Sequence, residues 1–333
     1  MKSVRKPGKP VRLLWVADSW DTLDHPKDTT LRLMQESLLF AGRAESWYCD
    51  VRSIRIASGK VLLEARKLLD VSPARTHPGF SFEQETTLEP RDFDRLIYRT
   101  DPPVDHAYLH PLQMLHLGVR GSRTQIVNPA EALALGNEKF EATRLGRFAP
   151  ESLISSDRER LKAFGTKEEL TVLKPLHEAQ SKGVELLDWT SPKASRDAME
   201  KLQVLSANFS QPVILQRYLK GIRKGEQRLW FLDGKLLAHV KKKPKSGTFK
   251  IDMDRGGSLE AAPLKPNEKQ AAIAIGKILK NDGIRLAAVD LIDGLVTDYN
   301  HTSPGLLTPM ENLLGKNLAR PVIEALLKDL RSS

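Results

Sequence analysis

Two carboxylates and an amide near the C-terminus are spaced so that they could converge on one ion. Residues 287–304 read AAVDLIDGLVTDYNHTSP, which predicts two strands joined by a turn near Asp293-Gly294. A three-residue loop would pair Asp290 directly with Asp298, and Asn300, two residues further on, would share the face of Asp298. Because like charges directly opposed on a sheet are destabilising, a divalent cation with oxygen ligands, such as Mg²⁺, is the natural compensator.

A different turn would remove this metal site. With a two-residue turn, Asp290 would lie across from Thr297, and Asp298 would point to the other face of the hairpin. The acidic and amide side chains would then be ordinary turn and surface groups. The sequence of the hairpin alone leaves both interpretations open.

Charged side chains elsewhere in the chain could hold phosphates. Lys174 ends the apolar strand 170–173, where its ammonium could bind a phosphate as a point charge. Lys139, near the start of a helix, is on its own most simply a surface residue. Glu226 could accept hydrogen bonds from ribose hydroxyls, and Arg228 could neutralise a transferring phosphoryl group, although a surface hairpin explains both equally well.

The first 127 residues alternate strands and helices and so predict an open α/β unit. Strands are predicted at 12–18, 96–98 and 125–127, a hairpin at 51–61, and helices beginning at Thr29, with Asp28 as N-cap, and around 109–117. This alternation favours a mostly parallel sheet. Ligands gather at the carboxyl ends of such strands, which is where Arg99 and Asp101 fall.

The dipeptide Asn128-Pro129 predicts a boundary, and two further units follow it. A smaller α/β segment contains a helix from 137, a strand at 170–174 and a helix opened by Ser191-Pro192. The last third contains a strand at 212–218, hairpins at 228–240 and 286–300, and a helix at 267–281. The predicted division is therefore 1–127, 128–210 and 211–333.

Composition limits the classes of protein that fit. The 333 residues carry a formal net charge of +10 and include one cysteine, Cys49, so an intrachain disulfide is excluded and a reducing cytoplasm is expected. The sequence contains no run of about 18 apolar residues, so no membrane span is expected. The basic cluster formed by Lys241, Lys242, Lys243 and Lys245 is predicted to be solvated surface, and no nucleic-acid-binding module accompanies it.

Taken in chain order, these segments resemble the prokaryotic glutathione synthetases of the ATP-grasp superfamily over residues 12–330. The resemblance rests on ordered strings: Arg99-Thr100-Asp101-Pro102-Pro103-Val104-Asp105, Val127-Asn128-Pro129, Asn137-Glu138-Lys139-Phe140, Leu173-Lys174-Pro175-Leu176, Gln216-Arg217-Tyr218-Leu219 and Thr297-Asp298-Tyr299-Asn300-His301-Thr302-Ser303-Pro304. It implies an α/β ATP-grasp fold, with an N-terminal open parallel-sheet domain, a central lid subdomain and a C-terminal subdomain that carries the metal-binding hairpin.

The resemblance also implies an activity. That family joins γ-glutamylcysteine to glycine through an acyl phosphate, using ATP and two Mg²⁺ ions, in whose place Mn²⁺ is an alternative. It implies a ligase of the EC 6.3.2 type with peptide and amino-acid substrates. It implies no nucleic-acid or membrane partner. It also leads us to expect a homo-oligomer, either a dimer or a tetramer.

Each candidate residue receives a role by this resemblance. The ATP-binding set is Lys139 and Lys174 for the phosphates, Gln216, Tyr218 and Leu219 for the adenine, and Glu226 for the ribose. The metal set is Asp290, Asp298 and Asn300, and the catalytic set is Arg228 and Arg255. The residues expected to approach the acceptor substrate are Asp28, Thr29, Arg99, Asp101 and Ser303.

Two loops depart from the family pattern. Glu178, Gln180 and Ser181 occupy positions that are glycine in the family's phosphate-covering loop, where glycine permits positive φ and a close backbone approach. Arg255 stands in for one arginine of a second loop, and the segment after Pro304 lacks the family's arginine. Four functions therefore compete: glutathione synthetase, a ligase with a different acceptor, an ATP-binding protein with little ligase activity, and, remotely, a basic nucleic-acid-binding protein.

Overall fold

The computed structural model describes residues 9–72, 79–178 and 182–328. Its strands are β1 (Val11–Ala17), β2 (Ala44–Asp50), β3 (Arg55–Ala57), β4 (Lys60–Ser72), β5 (Gly79–Phe82), β6 (Thr86–Leu88), β7 (Arg95–Tyr98), β8 (Gln125–Val127), β9 (Ser152–Ser155), β10 (Leu170–Lys174), β11 (Glu185–Asp188), β12 (Val213–Arg217), β13 (Glu226–Leu232), β14 (Lys235–Lys243), β15 (Ser258–Glu260), β16 (Leu286–Ile292) and β17 (Leu295–Asn300).

The helices lie between these strands and after them. They are α1 (Thr29–Ser37), α2 (His106–Val119), α3 (Ala130–Leu135), α4 (Glu138–Thr143), α5 (Arg158–Glu168), α6 (Pro192–Leu205), α7 (Pro266–Asn281), α8 (Leu307–Leu314) and α9 (Ala319–Leu327). Within residues 9–72, 79–178 and 182–328, no helix combines the length and the apolar character that a membrane crossing requires.

The N-terminal sheet is mixed rather than mostly parallel. Its order is β3-β4-β2-β1-β7-β8, and β1 runs parallel to β2 and β7, as β7 does to β8. Strand β4 is antiparallel to β2, β3, β5 and β6. The antiparallel half begins at the predicted Ser58-Gly59 turn, where both residues have positive φ, as a tight two-residue hairpin requires. The carboxyl ends of the parallel strands still meet at one edge, next to Arg99.

The central sheet is fully antiparallel and crosses the predicted boundary at residue 210. Its order is β11-β10-β12-β9, so β12, which was assigned by sequence to the last unit, pairs with β10 and β9. Leu173 and Leu215 of this sheet pack with Leu161 of α5 and Leu202 of α6 in one apolar cluster. This packing positions Lys174 at the end of β10, beside Gln216 of β12.

The third sheet has the order β15-β14-β13-β16-β17 and is also antiparallel. Every residue of β16 is buried. Helix α7 covers one face of the sheet through Ala271, Ile275 and Leu279. The opposite face carries the charged side chains of the candidate site.

Asn128, where a boundary was predicted, is a buried clamp between the first and third sheets. Its Nδ2 donates to the carbonyl oxygens of Leu286 (2.8 Å) and His301 (2.6 Å), and its Oδ1 accepts from the amides of Arg285 and Leu286, both at 2.9 Å. All four hydrogen bonds join the end of β8 to the β16–β17 hairpin and the chain after it. The N-terminal unit is thereby held against the sheet that carries the site.

Candidate active site

The β16–β17 hairpin brings Asp290 and Asp298 together through a β-bulge. Ile292 pairs with Leu295, so of the two turns that the sequence left open the two-residue turn is the one observed. The register then shifts at Thr297, and Asp290 pairs with Asp298 all the same. A bulge inserts one extra residue in one strand and so moves the following side chains to the other face. Both carboxylates therefore lie on the same side of the sheet.

Two side-chain cations, Arg228 and Lys242, compensate the charge of Asp290. Arg228, its cross-strand neighbour on β13, donates from Nε and Nη2 to the two carboxylate oxygens at 2.8 and 2.7 Å. Lys242 donates to Oδ2 at 2.8 Å. Burial opposes ionisation, but Arg228 and Lys242 hold the pKa of Asp290 below its usual value. The carboxylate is thus ionised and fully neutralised by the protein.

Lys242 belongs to the site, and its prediction as solvated surface is wrong. It lies directly across from Glu226, and its Nζ is 2.6 Å from Glu226 Oε1, with both side chains buried. Its neighbours Lys241 and Lys243 point to the other face, where each pairs with Glu260. The two-residue period of a strand alone predicts that one lysine in such a run faces away from the other two. The sequence does not show which face of β14 is covered; in the folded chain it is the face that carries Lys242.

Lys139 reaches the same face of the sheet from helix α4. Asn137 caps α4 by accepting the Lys139 amide at 2.9 Å, and the Lys139 side chain points inward, so the simple surface interpretation is wrong. Its Nζ lies 2.5 Å from Asp298 Oδ1. Burial again opposes ionisation, but Lys139 and Lys174 hold the pKa of Asp298 well below its usual range.

Lys174 is the surplus cation of this cluster. Its Nζ donates to two neutral oxygens, Gln216 Oε1 at 3.0 Å and the Thr297 carbonyl at 2.7 Å. Burial without a directly bonded carboxylate lowers the pKa of Lys174 to about 8, a shift that the more distant Asp298 opposes. The cluster contains four cations, Lys139, Lys174, Arg228 and Lys242, against three carboxylates, Glu226, Asp290 and Asp298. A buried surplus cation is well placed to receive an anion.

We predict that nucleotide affinity depends on pH through Lys174. Above about pH 8 the free lysine loses its proton, so ATP affinity should fall, by up to about tenfold per pH unit. The folded-state pKa lies below the unfolded value of 10.5, so the contribution of this lysine to the free energy of unfolding should instead rise with pH between the two values. Titration calorimetry with a non-hydrolysable ATP analogue at several pH values measures the first effect. Lys174→Met should bind weakly and without this pH dependence; an unchanged slope in the variant would contradict the assignment.

The predicted adenine-binding residues lie where β12 ends. Gln216 is buried, and its Nε2 donates to Ser152 Oγ at 3.3 Å. The Tyr218 amide donates to the Leu170 carbonyl at 3.0 Å, and its ring meets the Phe249 ring edge-on at 6.2 Å between centroids. Leu219 follows at once and begins a short 3₁₀ turn. The side chains of Tyr218 and Leu219 are half-buried at the junction of the two antiparallel sheets.

The predicted acceptor residues meet where the N-terminal unit contacts the chain after β17. Arg99 is buried; its Nη2 donates to the Pro304 carbonyl at 3.0 Å and its Nε to Thr30 Oγ1 at 3.2 Å. Ser303 Oγ donates to the Arg99 carbonyl at 3.2 Å. The Leu307 amide donates to Thr29 Oγ1 at 3.2 Å. Thr29, Arg99 and Ser303 are therefore neighbours.

Two carboxylates accompany Arg99. Asp28 caps α1 by accepting the Leu31 amide at 2.9 Å, and burial raises the pKa of Asp28. Asp101 is exposed, and its amide donates to Asp18 Oδ2 at 2.9 Å. Burial lowers the pKa of the Arg99 guanidinium, which both carboxylates oppose, and Arg99 Nη1 has no hydrogen-bond partner in the described part of the chain. A buried, unpaired N–H of a guanidinium is a strong donor for a carboxylate ligand.

Glu138 is a positioning residue that residue-by-residue prediction missed. Its Oε1 accepts from the His301 amide, the Thr302 amide and Thr302 Oγ1, at 2.9, 3.1 and 2.9 Å. These contacts tie α4, which carries Lys139, to the segment that carries Ser303. The string Asn137-Glu138-Lys139 contained the signal, since Glu138 is the first residue of the helix that carries Lys139.

Some predicted residues lie outside the cluster. Arg255 lies on an exposed turn, where its Nε is 3.4 Å from Asp252 Oδ2, and the structure does not bring it to Asp290 or Asp298. Of the altered lid positions, Gln180 and Ser181 lie outside the described residues. The described start of that loop is fixed, since the His177 carbonyl accepts from the Val104 amide at 3.1 Å.

The oxygen donors on this face suit a magnesium ion, or the similar Mn²⁺. Asp298 is partly exposed, and Asn300 offers its amide oxygen while its Nδ2 donates to the Ala288 carbonyl at 3.2 Å. Among the described residues, no group of three or more His, Cys, Asp and Glu side chains could hold an ion without help. A magnesium ion here therefore needs further oxygens, such as those of a bound phosphate.

Comparisons with known proteins cover almost the whole chain. Residues 11–133 match the family model described as prokaryotic glutathione synthetase, N-terminal domain, and residues 138–315 match its ATP-grasp domain. The chain is 31% identical to the glutathione synthetase of Prochlorococcus marinus (strain MIT 9313), over 96% of this chain and 100% of that relative. It is 26% identical to that of Pseudomonas syringae pv. tomato, over 97% and 98%.

Solved structures share the fold at low sequence identity. The crystal structure of the D-cycloserine synthetase DcsG is similar with a TM-score of 0.64 and 16% identity, over 95% of this chain and 100% of that one. The ATP-grasp ligase PsnB, complexed with its minimal precursor, gives 0.61 and 15%, over 94% and 97%. At these identities the likeness concerns the fold, and it confirms the predicted α/β ATP-grasp class.

Proposed function

This chain belongs to the prokaryotic glutathione synthetase family, and we propose that it joins a carboxylate to an amine with ATP, through an acyl phosphate. The expected substrates are γ-glutamylcysteine and glycine, and the expected products are glutathione, ADP and phosphate. The observation that carries the proposal is the buried charge cluster between the two antiparallel sheets. It pairs Asp298 with Lys139 and Asp290 with Arg228, and it leaves Lys174 in surplus.

The cluster is suited to exchange its internal ion pairs for those of MgATP. Lys139 and Lys174 would bind phosphate oxygens, and Asp298 and Asn300, with Asp290, would hold Mg²⁺, of which two ions are proposed and for which Mn²⁺ is an alternative. Bound Mg²⁺ would offset phosphate charge. Before any ligand enters, Lys139, Arg228 and Lys242 are paired with the carboxylates of the cluster, and Lys174 is left to bind an incoming anion.

Arg228, Lys242 and Arg99 would act on the reacting groups. Arg228 is paired with Asp290, and Lys242 with Asp290 and Glu226. When Mg²⁺ takes Asp290, both cations would be free to stabilise the negative charge that develops on a transferring phosphoryl group. Arg99 would orient the substrate through its unpaired Nη1, together with Thr29, Ser303, Asp28 and Asp101. Gln216, Tyr218 and Leu219 would bind the adenine and Glu226 the ribose. Arg255 would reach the site only by movement of its loop.

We predict that Mg²⁺ alone binds weakly and that Mg²⁺ with nucleotide binds well. Asp290 and Asp298 are already neutralised by Arg228, Lys242 and Lys139, so free Mg²⁺ must displace these cations without a phosphate to receive them. Titration calorimetry should show no saturable Mg²⁺ binding by the free protein and clear binding in the presence of ADP. In Lys139→Met, Asp298 loses its partner, and affinity for Mg²⁺ alone should rise. Tight binding of Mg²⁺ by the free wild-type protein would contradict this account.

The substrate proposal is tested by a reconstituted reaction. Purified protein is mixed with ATP, Mg²⁺, γ-glutamylcysteine and glycine, and phosphate and peptide product are measured together, with each component omitted in turn. Phosphate equal to glutathione supports the proposal. Phosphate that requires another amino acid or carboxylate assigns a different acceptor. ATP binding with no turnover on any substrate pair would overturn the ligase proposal, and salt-sensitive nucleic-acid binding without nucleotide binding would favour the remote alternative.

Four further features remain proposals. We keep the division into units 1–127, 128–210 and 211–333, with β12 completing the central sheet. We propose a cytoplasmic location, which the single buried, free Cys49 supports. We also propose a homo-oligomer, dimer or tetramer, which sedimentation equilibrium would measure, and small-molecule substrates rather than nucleic acid or membrane as partners.

A further inference from the structure

Two histidines at the start of α2 form a pair that no part of the ligase chemistry uses. His106 and His110 are one helical turn apart, and both are exposed. Their ring centroids lie 5.1 Å apart, and the rings are parallel to within 4°. Side chains at i and i+4 of a helix share one face. The two imidazoles are therefore held next to each other by the backbone itself.

Neither imidazole has another partner. In the described part of the chain, His106 and His110 form no hydrogen bond or ion pair with another residue. The remaining five described histidines each have a hydrogen-bond or carboxylate partner: His25, His116, His177, His239 and His301. The pair thus keeps all four ring nitrogens available for a ligand.

We propose that His106 and His110 bind one divalent transition-metal ion of the borderline class, Ni²⁺, Cu²⁺ or Zn²⁺, at the surface of α2. Imidazole nitrogen is a preferred ligand of these ions, and histidines at i and i+4 on one helix face are a known bidentate arrangement. Two imidazoles bound to neighbouring positions of one ion, with metal–nitrogen bonds of about 2.1 Å, have centroids about 5 Å apart. The observed centroid distance of 5.1 Å places the two rings close enough to share one ion once each ring has turned toward it.

Binding needs only a rotation of the two rings. Parallel rings direct their nitrogens along parallel lines, so each ring must turn about its side-chain bonds to aim at a shared ion. Exposed side chains make such turns freely on the nanosecond scale. The positive end of the helix would repel a cation, but Asp105, the N-cap, places a carboxylate one residue before His106. Water would complete the coordination, since no third His, Cys, Asp or Glu ligand is positioned among the described residues.

This site is independent of the proposed magnesium site. Mg²⁺ prefers oxygen ligands and retains its water, whereas Ni²⁺ and Cu²⁺ prefer nitrogen. Excess Mg²⁺ should therefore not displace Ni²⁺ from the pair. Failure of the ligase proposal would leave the histidine pair unaffected, and the reverse also holds.

The test is Ni²⁺ titration calorimetry on tag-free, full-length protein in excess Mg²⁺. We expect one saturable Ni²⁺ per chain, with an affinity at least about tenfold lower in His106→Gln and in His110→Gln, because either variant loses the second, tethered imidazole. His116→Gln changes a histidine of the same helix outside the pair and should bind as wild type. All three positions are exposed or half-exposed, so the metal-free variants should unfold at the wild-type temperature.

Electron paramagnetic resonance of bound Cu²⁺ supplies a second readout. Two coordinating nitrogens are expected in the wild type and one in each single variant. Absence of saturable Ni²⁺ binding, or equal affinity in the wild type and both variants, would overturn the proposal. So would an equal loss of binding in His116→Gln, since it would place the ion elsewhere on α2.

Discussion

Replacing Arg228 by methionine is expected to lower kcat by about 10²–10³-fold while nucleotide binding persists, because the guanidinium acts on charge that develops during phosphoryl transfer. The same change leaves Asp290 buried with Lys242 as its remaining partner. It should therefore also lower the free energy of unfolding by about 3 kcal/mol, at the low end for a broken buried ion pair. Steady-state phosphate release and urea denaturation measure the two effects.

A double variant separates catalysis from stability. In Arg228→Met/Asp290→Asn both members of the pair are neutral, so most of the lost stability should return. Activity should be at least as low as in the single variant, because Asp290 is also a proposed Mg²⁺ ligand. Arg228→Lys keeps the charge but not the two-pronged contact with Asp290, and it should retain part of the activity. If Arg228→Met keeps kcat within a few-fold of wild type, Arg228 does not contact the reacting phosphoryl group.

Asp298→Asn is expected to have the second large effect. It removes the partly exposed carboxylate that pairs with Lys139 and that we assign to Mg²⁺. Phosphate release at moderate Mg²⁺ should fall by about 10³-fold, since metal-bound phosphate charge is a several-kcal/mol contribution to transition-state stabilisation. Turnover measured across a Mg²⁺ series should show a large rise in the Mg²⁺ concentration needed for half-maximal rate.

Asp293→Asn is the matched control in the same hairpin. Asp293 is exposed in the turn, and its Oδ1 lies 3.5 Å from Lys265 Nζ, away from the charge cluster. Asparagine tolerates the positive φ found there. Activity and Mg²⁺ dependence should be those of the wild type. Equal losses in the two variants would mean that the hairpin was disturbed as a whole, and an active Asp298→Asn enzyme would remove Asp298 from the metal site.

Turn chemistry made much of the fold predictable. The dipeptides Ser58-Gly59, Asp233-Gly234 and Asp293-Gly294 adopt positive φ at both residues, as the tight hairpins they predicted require. Asp28 and Asn137 cap the predicted helices through their own side chains. These features depend on neighbouring residues only, and local patterns therefore determine them.

Features that depend on distant parts of the chain were not predictable. The bulge at Thr297 is stabilised from another sheet, since Lys174 donates to its carbonyl oxygen. Strand β9 is short and half-buried. It is stabilised by its pairing with β12, which lies about 60 residues away in sequence. Helix α5 and strand β11 were likewise missed, because only the assembled central sheet gives them an apolar partner.

The candidate site shows the same limit at single residues. Ordered strings identified Lys139, Lys174 and Asp298. The hairpin pattern and the resemblance added Asp290 and Arg228, and the structure brings these five together. Lys242 was assigned to the surface because charge density alone does not tell which face of a strand is covered. Arg255 was assigned by its order in a loop whose path the sequence does not specify. The roles of all these residues remain predictions until activity is measured.

The most direct test follows an oxygen atom. The donor peptide is prepared with ¹⁸O in the carboxylate that reacts, and phosphate from the complete reaction is examined by mass spectrometry. An acyl phosphate intermediate requires that one ¹⁸O pass from the carboxylate to each phosphate released as the amide forms. Phosphate that carries no label would contradict activation of the carboxylate by ATP, and with it the function proposed for this charge cluster.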